Sequence, residues 1–247
     1  METAISTESL NFFYDGTQIL KDINLNILKG RFVSVVGPSG CGKSTLLLLL
    51  ARMLSPASGS ITVESDNVGL IFQEYNRVLL PWRTVLDNAA LYLELLGAGK
   101  SERYEIIKNY LALVGLNGFE KLYPHQLSGG MKQRVQIARV LSTQPQILLL
   151  DEPFGSLDSQ TKESMQDELL NIFYKEKGLT ALFVTHDIEE ATFLSDEVVI
   201  LGRRPSVVVG KLDVGIPHPR DAETRFSDRF QQIKHEIWKS LRSIGAN

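Results

Sequence analysis

The chain has 247 residues, of which 43% are hydrophobic and 22% are charged. This composition is typical of a folded globular protein and excludes a fibrous or largely disordered chain. The net charge of −3 argues against an overall field that attracts nucleic acid. The longest unbroken apolar run is 46–51, far shorter than the roughly 20 residues that a membrane-spanning helix needs. We therefore expect a globular chain with no nucleic-acid partner.

The compartment is indicated by two further features of the sequence. The first ten residues lack the basic stretch and following apolar stretch of a secretory signal. Cys41 is the only cysteine, so an internal disulfide cannot form, in agreement with a reducing environment. We expect the chain to stay in the cytoplasm.

The N-terminal segment predicts a pair of antiparallel strands. Ser9–Tyr14 and Ile19–Leu28 read as half-buried strands, because apolar residues alternate along the second, and Asp15 and Gly16 form the turn between them.

Further along, short apolar runs predict buried strands, each followed by polar residues. Open parallel sheets bind ligands at this carboxyl edge, so the pattern indicates an α/β core. The runs are 31–36, 68–72, 147–150 and 181–184.

A phosphate-binding loop directly follows the first of these runs. Residues 37–44 match the pattern GxxxxGK[ST] and lead into a leucine-rich helix. The glycines let backbone N–H groups point inward, and the helix start adds partial positive charge. Lys43 would contact the β- and γ-phosphates, and the Ser44 hydroxyl would be a ligand for Mg²⁺. Cys41 fits a small filler better than a reactive thiol, although the local positive field could lower its pKa. The predicted nucleotide-binding residues here are Gly37, Pro38, Ser39, Gly40, Cys41, Gly42, Lys43, Ser44 and Thr45.

The middle of the chain predicts an inserted helical lobe. Between about Thr84 and His125 the apolar spacing becomes helical, with charged residues on the opposite faces and no strand-like run. Next, Ser128 can cap a new helix, while Gly129 and Gly130 expose backbone N–H groups. A capped helix start alone would explain the serine but not the paired glycines. This segment therefore predicts a second anion site.

Two adjacent acids follow the strand 147–150. Asp151 is placed to hold Mg²⁺, and Glu152 to polarise the attacking water. Two acids at a strand end can also be plain surface charge, but the preceding phosphate loop favours the catalytic interpretation. The phosphate loop alone leaves kinases, GTPases, helicases and transport ATPases open.

The segment Leu127–Arg134 (LSGGMKQR) narrows this choice, because it resembles the LSGGQ-type signature of the ABC ATPase family, with Met131 in place of the commoner glutamine. The resemblance runs from about Leu10 to Leu241. It implies an α/β fold: a P-loop NTPase (RecA-like) core with an N-terminal antiparallel β subdomain and an inserted α-helical subdomain. The implied single domain has its core at 1–75 and 130–215, the helical subdomain at 76–129 and a helical tail at 216–247.

The resemblance also implies a site shared by two subunits. Ser128, Gly129 and Gly130 would contact the γ-phosphate of ATP held by the phosphate loop of a second ATP-binding subunit, most simply an identical copy. Asp158, in the segment 156–158, would lie at that interface. ATP and Mg²⁺ are the implied cofactors.

Three more residues match family positions in order. Gln73 resembles the glutamine that contacts Mg²⁺ or the lytic water, and His186 resembles the histidine that contacts the γ-phosphate beside Glu152. A histidine after a strand can equally be structural, so its place relative to Glu152 carries the assignment. Tyr14 lies where an aromatic ring stacks on adenine, with Phe12 and Phe13 as alternatives.

The C-terminal tail from residue 226 predicts an amphipathic helix. Phe230, Ile233, Ile237 and Leu241 form one stripe. Packing of this stripe on the chain's own core is favoured over binding to a membrane surface.

The segment 79–88 resembles importers of the nitrate, sulfonate and taurine group. It implies contact with integral membrane permease subunits at the cytoplasmic face of the membrane, with an external solute-binding protein acting indirectly. Trp82 could anchor the permease or pack inside the helical lobe. The link between Gly59 and Gly69 is short for the group. A soluble, non-transport ABC ATPase and an unrelated P-loop kinase or GTPase are the competing hypotheses.

Overall fold

The computed structural model describes residues 2–72, 79–155, 157–175 and 178–245. The strands, numbered in chain order, are β1 (Thr3–Tyr14), β2 (Thr17–Leu28), β3 (Phe32–Val36), β4 (Ser58–Val63), β5 (Val68–Ile71), β6 (Ile147–Asp151), β7 (Thr180–Val184), β8 (Glu197–Leu201) and β9 (Val208–Asp213). The α-helices are α1 (Lys43–Leu50), α2 (Val85–Ala89), α3 (Leu91–Leu95), α4 (Lys100–Leu113), α5 (Gly129–Leu141), α6 (Ser159–Lys175), α7 (Ile188–Leu194) and α8 (Asp228–Gly245).

The chain divides into two compact units. The first comprises Met1–Asp66, Leu149–Glu152 and Lys177–Asn247, and the second comprises Asn67–Leu148 and Pro153–Glu176. Strand β6 contributes its first two residues to the second unit and its last three to the first.

The first unit contains an antiparallel sheet with the strand order β2-β1-β4. The predicted N-terminal strand pair is confirmed, and Tyr14 pairs with Thr17 across the turn. Strand β1 begins at Thr3 rather than at Ser9. Strand β4 was not predicted, because most of its residues are exposed and the apolar alternation is limited to Ile61 and Val63.

The same unit contains a second sheet, in which the strands follow the order β6-β7-β3-β8-β9. Strand β3 is parallel to both β7 and β8, whereas β9 is antiparallel to β8. All residues of β3 and β7 are buried, which explains why their sequences are apolar except for Ser34 and Thr180. Because β3 and β7 are parallel, the residues that follow Val36 and Val184 lie at the same edge of the sheet.

The C-terminal helix α8 packs on this sheet's own elements. Ile233 and Ile237 share a buried cluster with Val36, Ala191 and other apolar residues of the first unit. The prediction of a helix packed on its own core is confirmed. In the part of the chain that the structure describes, no helix is both long enough and apolar enough to cross a membrane.

The second unit contains β5 and helices α2 to α6. The predicted helical lobe is confirmed, since 84–125 forms α2, α3, α4 and a short 3₁₀ turn without a strand. Helix α5 packs against α2 and α4. The buried Arg139 of α5 donates from Nε to the Asn88 carbonyl at 2.7 Å and from Nη2 to Asn88 Oδ1 at 3.0 Å. These bonds join α5 to α2.

Candidate nucleotide-binding site

The phosphate loop joins β3 to α1 in the first unit. Gly42 precedes the helix with a φ of 108°, in the left-handed region that favours glycine. A Cβ atom at this position would lie 2.8 Å from Ile19 Cγ2, so the close approach of β2 also requires glycine. At the start of the loop, a Cβ atom on Gly37 would lie 2.9 Å from the Leu201 carbonyl oxygen. The structure therefore supports the glycine positions of the predicted loop by both backbone shape and packing.

Lys43 lies across this loop. Its ammonium group donates to the Gly37 carbonyl at 2.9 Å and to the Pro38 carbonyl at 3.2 Å. The residue is only 6% exposed, so the charge is held within the loop rather than in bulk water. Ser39 and Gly40 form the exposed tip, and Thr45 is half-buried in the first turn of α1. A positive charge fixed beside a helix start suits a phosphate group.

Ser44 and Asp151 are brought together at the base of the loop. Ser44 Oγ donates to Asp151 Oδ1 at 3.0 Å. Burial raises the pKa of Asp151, and the Ser44 hydrogen bond and the Lys43 charge oppose this rise. A hydroxyl and a carboxylate oxygen side by side are the hard oxygen ligands that Mg²⁺ prefers. The donor set therefore fits the predicted metal.

Glu152 and His186 form a second pair at the same sheet edge. His186 Nδ1 lies 2.9 Å from Glu152 Oε2, and the Glu152 backbone N–H donates to the Val184 carbonyl at 2.9 Å. Glu152 has a φ of 42°, a left-handed conformation that is strained for a residue with a side chain. Such strain is found at functional sites more often than elsewhere. The arrangement directs the carboxylate toward the histidine.

Cys41 is buried in the phosphate loop at 2% exposure. Burial raises the pKa of its thiol, although the Lys43 charge acts in the opposite direction. The suggestion that the positive field could lower this pKa was wrong, because desolvation of the thiolate outweighs it. The structure supports the interpretation of Cys41 as a small filler.

The N-terminal aromatics differ in exposure. Phe12 is buried, whereas Tyr14 and Phe13 are both exposed. Phe12 and Tyr14 are in edge-to-face contact, with ring centroids 4.8 Å apart and an interplanar angle of 84°. This contact supports the Tyr14 ring from one side and leaves it accessible. Phe12 is thereby disfavoured as an adenine platform.

In the second unit, Ser128 caps α5 as predicted. Its hydroxyl accepts the Met131 backbone N–H at 3.3 Å. Gly129 is half-buried and Gly130 is buried. A Cβ atom on Gly130 would lie 2.7 Å from Thr161 Cγ2. Packing against α6 therefore also favours glycine at this position. The exposed serine and the helix start leave backbone donors at the surface.

The remaining predicted residues fall in three places. Asp158 is exposed and accepts the Thr161 backbone N–H at 3.0 Å, which holds the pKa of Asp158 below its usual value. It thus caps α6 locally. Trp82 is 71% exposed, so it does not pack inside the helical lobe. Gln73, and Ser156 of the segment 156–158, lie outside the described residues.

Two side chains against the phosphate loop were missed by sequence reasoning. Arg204 donates to the Gly40 carbonyl, and Ser206 donates to the Cys41 carbonyl. Both belong to the loop between β8 and β9, which neither apolar periodicity nor a motif marks. The contacting residues are 164 and 165 positions apart in the sequence, so no local pattern could reveal these contacts.

A family model described as ABC transporter matches residues 20–155. The chain belongs to the ABC transporter family. This membership confirms the predicted family, the α/β P-loop fold and the predicted ATPase activity.

Curated relatives align over most of the chain. The uncharacterized ABC transporter ATP-binding protein MJ0412 of Methanocaldococcus jannaschii is 43% identical, over 98% of this chain and 96% of the relative. The nitrate import ATP-binding protein NrtD of Synechocystis is 45% identical over 88% of this chain and 82% of its own. The aliphatic sulfonates import ATP-binding protein SsuB of Bacillus cereus is 42% identical over 92% of this chain and 90% of the relative.

Solved structures of the family are also similar. The dimeric bacterial ABC transporter cassette MJ0796 has a TM-score of 0.75 and 33% identity, covering 85% of this chain and 98% of the cassette. A post-hydrolysis state of MJ0796 bound to ADP and Pi gives a TM-score of 0.73 at 31% identity, with the same coverage. CbiO1 of Clostridium perfringens, part of the ABC transporter complex cbiONQ, has a TM-score of 0.79 at 26% identity. The match covers 99% of this chain and 100% of CbiO1.

Proposed function

We propose that the chain is the ATP-hydrolysing subunit of an ABC importer that energises uptake of a small solute of the nitrate, sulfonate or taurine type. The subunit acts at the cytoplasmic face of the membrane on permease subunits, and an external solute-binding protein delivers the solute. The names of NrtD and SsuB, at 45% and 42% identity, support this choice of group.

The observation that carries the proposal is the convergence of two polar pairs beside the phosphate loop. Ser44 meets Asp151, and Glu152 meets His186, within the unit that also holds Lys43. Phosphoryl transfer requires positioning and charge stabilisation rather than covalent chemistry from the protein. A cation, hard oxygen ligands and a carboxylate base at one sheet edge provide these parts.

Ser44 and Asp151 would hold Mg²⁺, with Gln73 as a further ligand. Bound Mg²⁺ would offset negative charge on the β- and γ-phosphates. The Ser44 hydroxyl and the Asp151 carboxylate are 3.0 Å apart in the structure, so one small ion can reach both oxygens. Tyr14 would stack on the adenine.

Glu152 acts as the general base. Its carboxylate accepts a proton from the water that attacks the γ-phosphorus, and the oxygen–phosphorus bond to ADP breaks as the new one forms. His186 lies 2.9 Å from Glu152 Oε2, so the ring holds the carboxylate in orientation and stands beside the terminal phosphate. Lys43 stabilises the charge on that phosphate.

The site is completed by a second copy of the chain. Ser128, Gly129 and Gly130 of one subunit contact the γ-phosphate bound by the other, and Asp158 lies at the interface. The exposed Ser128 at the start of α5 supports this role, because a helix N-terminus with free donors favours an anion.

Trp82 is the proposed anchor for the permease. The ring is 71% exposed, and tryptophan and arginine are frequent at interface hot spots. The next residue, Arg83, is fixed by Glu94, with Nη1 2.8 Å from Oε2. The ion pair holds the residue next to Trp82, and the indole faces outward.

The shared site is tested by complementation between two inactive variants. Lys43→Ala removes the phosphate-loop cation, and Ser128→Arg obstructs the signature loop, so each variant alone should have little ATPase activity. A mixture contains heterodimers with one intact composite site, and its activity should recover to about a quarter of wild type, since heterodimers form half of a random mixture and carry one site of two.

The control adds the Lys43→Ala/Ser128→Arg double variant to each single variant. In the first mixture every phosphate loop is defective and in the second every signature loop is defective, so neither mixture can assemble an intact composite site and neither should recover activity. Absence of recovery in the main mixture, with heterodimers demonstrated by mass spectrometry, would contradict the shared site.

Importer function is tested separately by uptake of nitrate, taurine or an alkanesulfonate into proteoliposomes containing the permease encoded beside this chain. ATP-dependent uptake of none of these would contradict the solute group.

A further inference from the structure

The loop between β8 and β9, residues 202–206, contacts the tip of the phosphate loop at two successive carbonyls. Arg204 Nη2 donates to the Gly40 carbonyl at 2.6 Å. Ser206 Oγ donates to the Cys41 carbonyl and lies 3.1 Å from the Gly202 carbonyl. All these residues belong to the first unit. None of the roles assigned above explains these contacts.

Ser206 is also tied to β2 through its backbone. Its N–H donates to the Ile19 carbonyl at 2.9 Å, and its carbonyl accepts the Lys21 N–H at 2.8 Å. The side chain is fully buried, so the hydroxyl is fixed by contacts on several sides. Gly42 approaches the same segment of β2, where an added Cβ would lie 2.8 Å from Ile19 Cγ2. Ser206 therefore joins β2 to the phosphate loop.

The geometry of the peptide bond gives these contacts a consequence for the cradle. The peptide unit is planar and trans, so the carbonyl of one residue points opposite to the N–H of the next. A bond that holds the Cys41 carbonyl toward Ser206 consequently turns the Gly42 N–H away from Ser206. A phosphate cradle needs backbone N–H groups that point inward and stay there. The bond from Arg204 fixes the Gly40 carbonyl, and the Cys41 N–H of the same peptide unit donates to the Pro38 carbonyl at 3.2 Å, which closes the turn of the loop.

We propose that Arg204 and Ser206 are positioning residues that hold the phosphate loop in its nucleotide-binding conformation before ATP arrives. Pre-organisation of a loop improves affinity because less conformational entropy is lost on binding. This inference rests on the proposed ATP site at the phosphate loop. It assigns a role in nucleotide binding to the loop 202–206, which none of the sequence motifs of the ATP site includes.

The single cysteine provides a direct measure of loop order. Cys41 is 2% exposed and lies within the phosphate loop, so a thiol reagent can reach it only when the loop opens. We would compare the rates at which 5,5′-dithiobis(2-nitrobenzoic acid) labels the wild type, Ser206→Ala, Arg204→Ala and the double variant, all without nucleotide. Labelling should be faster in each single variant than in the wild type. In the double variant the labelling rate should exceed the wild-type rate by about tenfold or more.

Affinity for MgATP, measured by isothermal titration calorimetry, should fall by about fivefold in Ser206→Ala. The ATP concentration for half-maximal hydrolysis should rise while the rate at saturation stays close to wild type. Arg204→Lys should retain most of the affinity, because an ammonium group can still donate to the Gly40 carbonyl. Lys211→Ala is the matched control, since it removes one charge from an exposed position on β9.

The outcomes separate the alternatives. Faster labelling together with weaker ATP binding, and neither change in Lys211→Ala, supports the proposal. Unchanged labelling and affinity overturn it. Faster labelling that is matched by a lower melting temperature, with unchanged affinity in the folded fraction, also overturns it, because the two residues then only stabilise the hairpin. Failure of the wild type to bind ATP would contradict the proposed function, while the labelling comparison would still report on the loop.

Discussion

Glu152 provides a sharp test, because the backbone at this position can be separated from the carboxylate. Its φ of 42° lies in the left-handed region, which costs a residue with a Cβ about 1–2 kcal/mol. Glycine avoids this cost but loses about 0.5–1 kcal/mol more in chain entropy on folding. Glu152→Gly should therefore be more stable than Glu152→Ala by about 0.5–1 kcal/mol. Both variants lose the bond to His186, so that loss cancels in the comparison.

The assay is paired thermal and urea unfolding of the two variants without nucleotide. A difference of about 1 kcal/mol shifts the melting temperature of a chain of this size by about 2–4 °C, so glycine should melt about 2 °C above alanine. Hydrolysis at saturating ATP should fall by about 10²–10⁴ in both, because neither retains the base. Equal stability, or a more stable alanine variant, would refute the claim of backbone strain. Hydrolysis near the wild-type rate would refute the assignment of the base.

The remaining predictions concern the second unit. Gly130→Ala should lower the free energy of unfolding by about 1–3 kcal/mol, because the new Cβ would lie 2.7 Å from Thr161 Cγ2. Thr161→Ser, which removes that methyl group, should recover much of the loss in thermal melts, and strictly additive effects would contradict direct overlap. Trp82→Ala should leave the melting temperature and the ATPase activity of the isolated subunit close to wild type, because the ring is 71% exposed. It should reduce solute uptake by proteoliposomes, and unchanged uptake would exclude Trp82 as the permease anchor.

The part of the site that the sequence predicts is the part built at strand ends. A buried strand is a continuous apolar run, and the polar residue that follows it has a defined place at the sheet edge. This rule alone puts Gly37, Asp151 and the segment before His186 on one edge, and the structure confirms it through the bonds from Thr185 N to Val35 O and from Glu152 N to Val184 O.

The rest depends on contacts without a local pattern. Strand β4 is largely exposed, and the alternation of apolar residues is limited to Ile61 and Val63. The left-handed backbone of Glu152 is invisible in a string of letters, since glutamate ordinarily avoids that region. Arg204 and Ser206 lie in a loop with no periodicity, and their relation to the phosphate loop exists only because β3 and β8 are neighbours in the sheet. Strand order is a long-range property that apolar runs alone leave undetermined.

The helix behind His186 is held at both ends by distant parts of the first unit. Arg220, nearly buried, donates to the carbonyls of Thr192, Phe193 and Ser195 at the carboxyl end of α7, at 3.2, 2.7 and 2.9 Å. At the other end, Lys234 of α8 donates to Glu189 at 2.7 Å. Carbonyls at a helix end lack intrahelical partners, so a buried guanidinium that satisfies three of them fixes the helix firmly. The C-terminal tail therefore fixes the helix that begins two residues after His186.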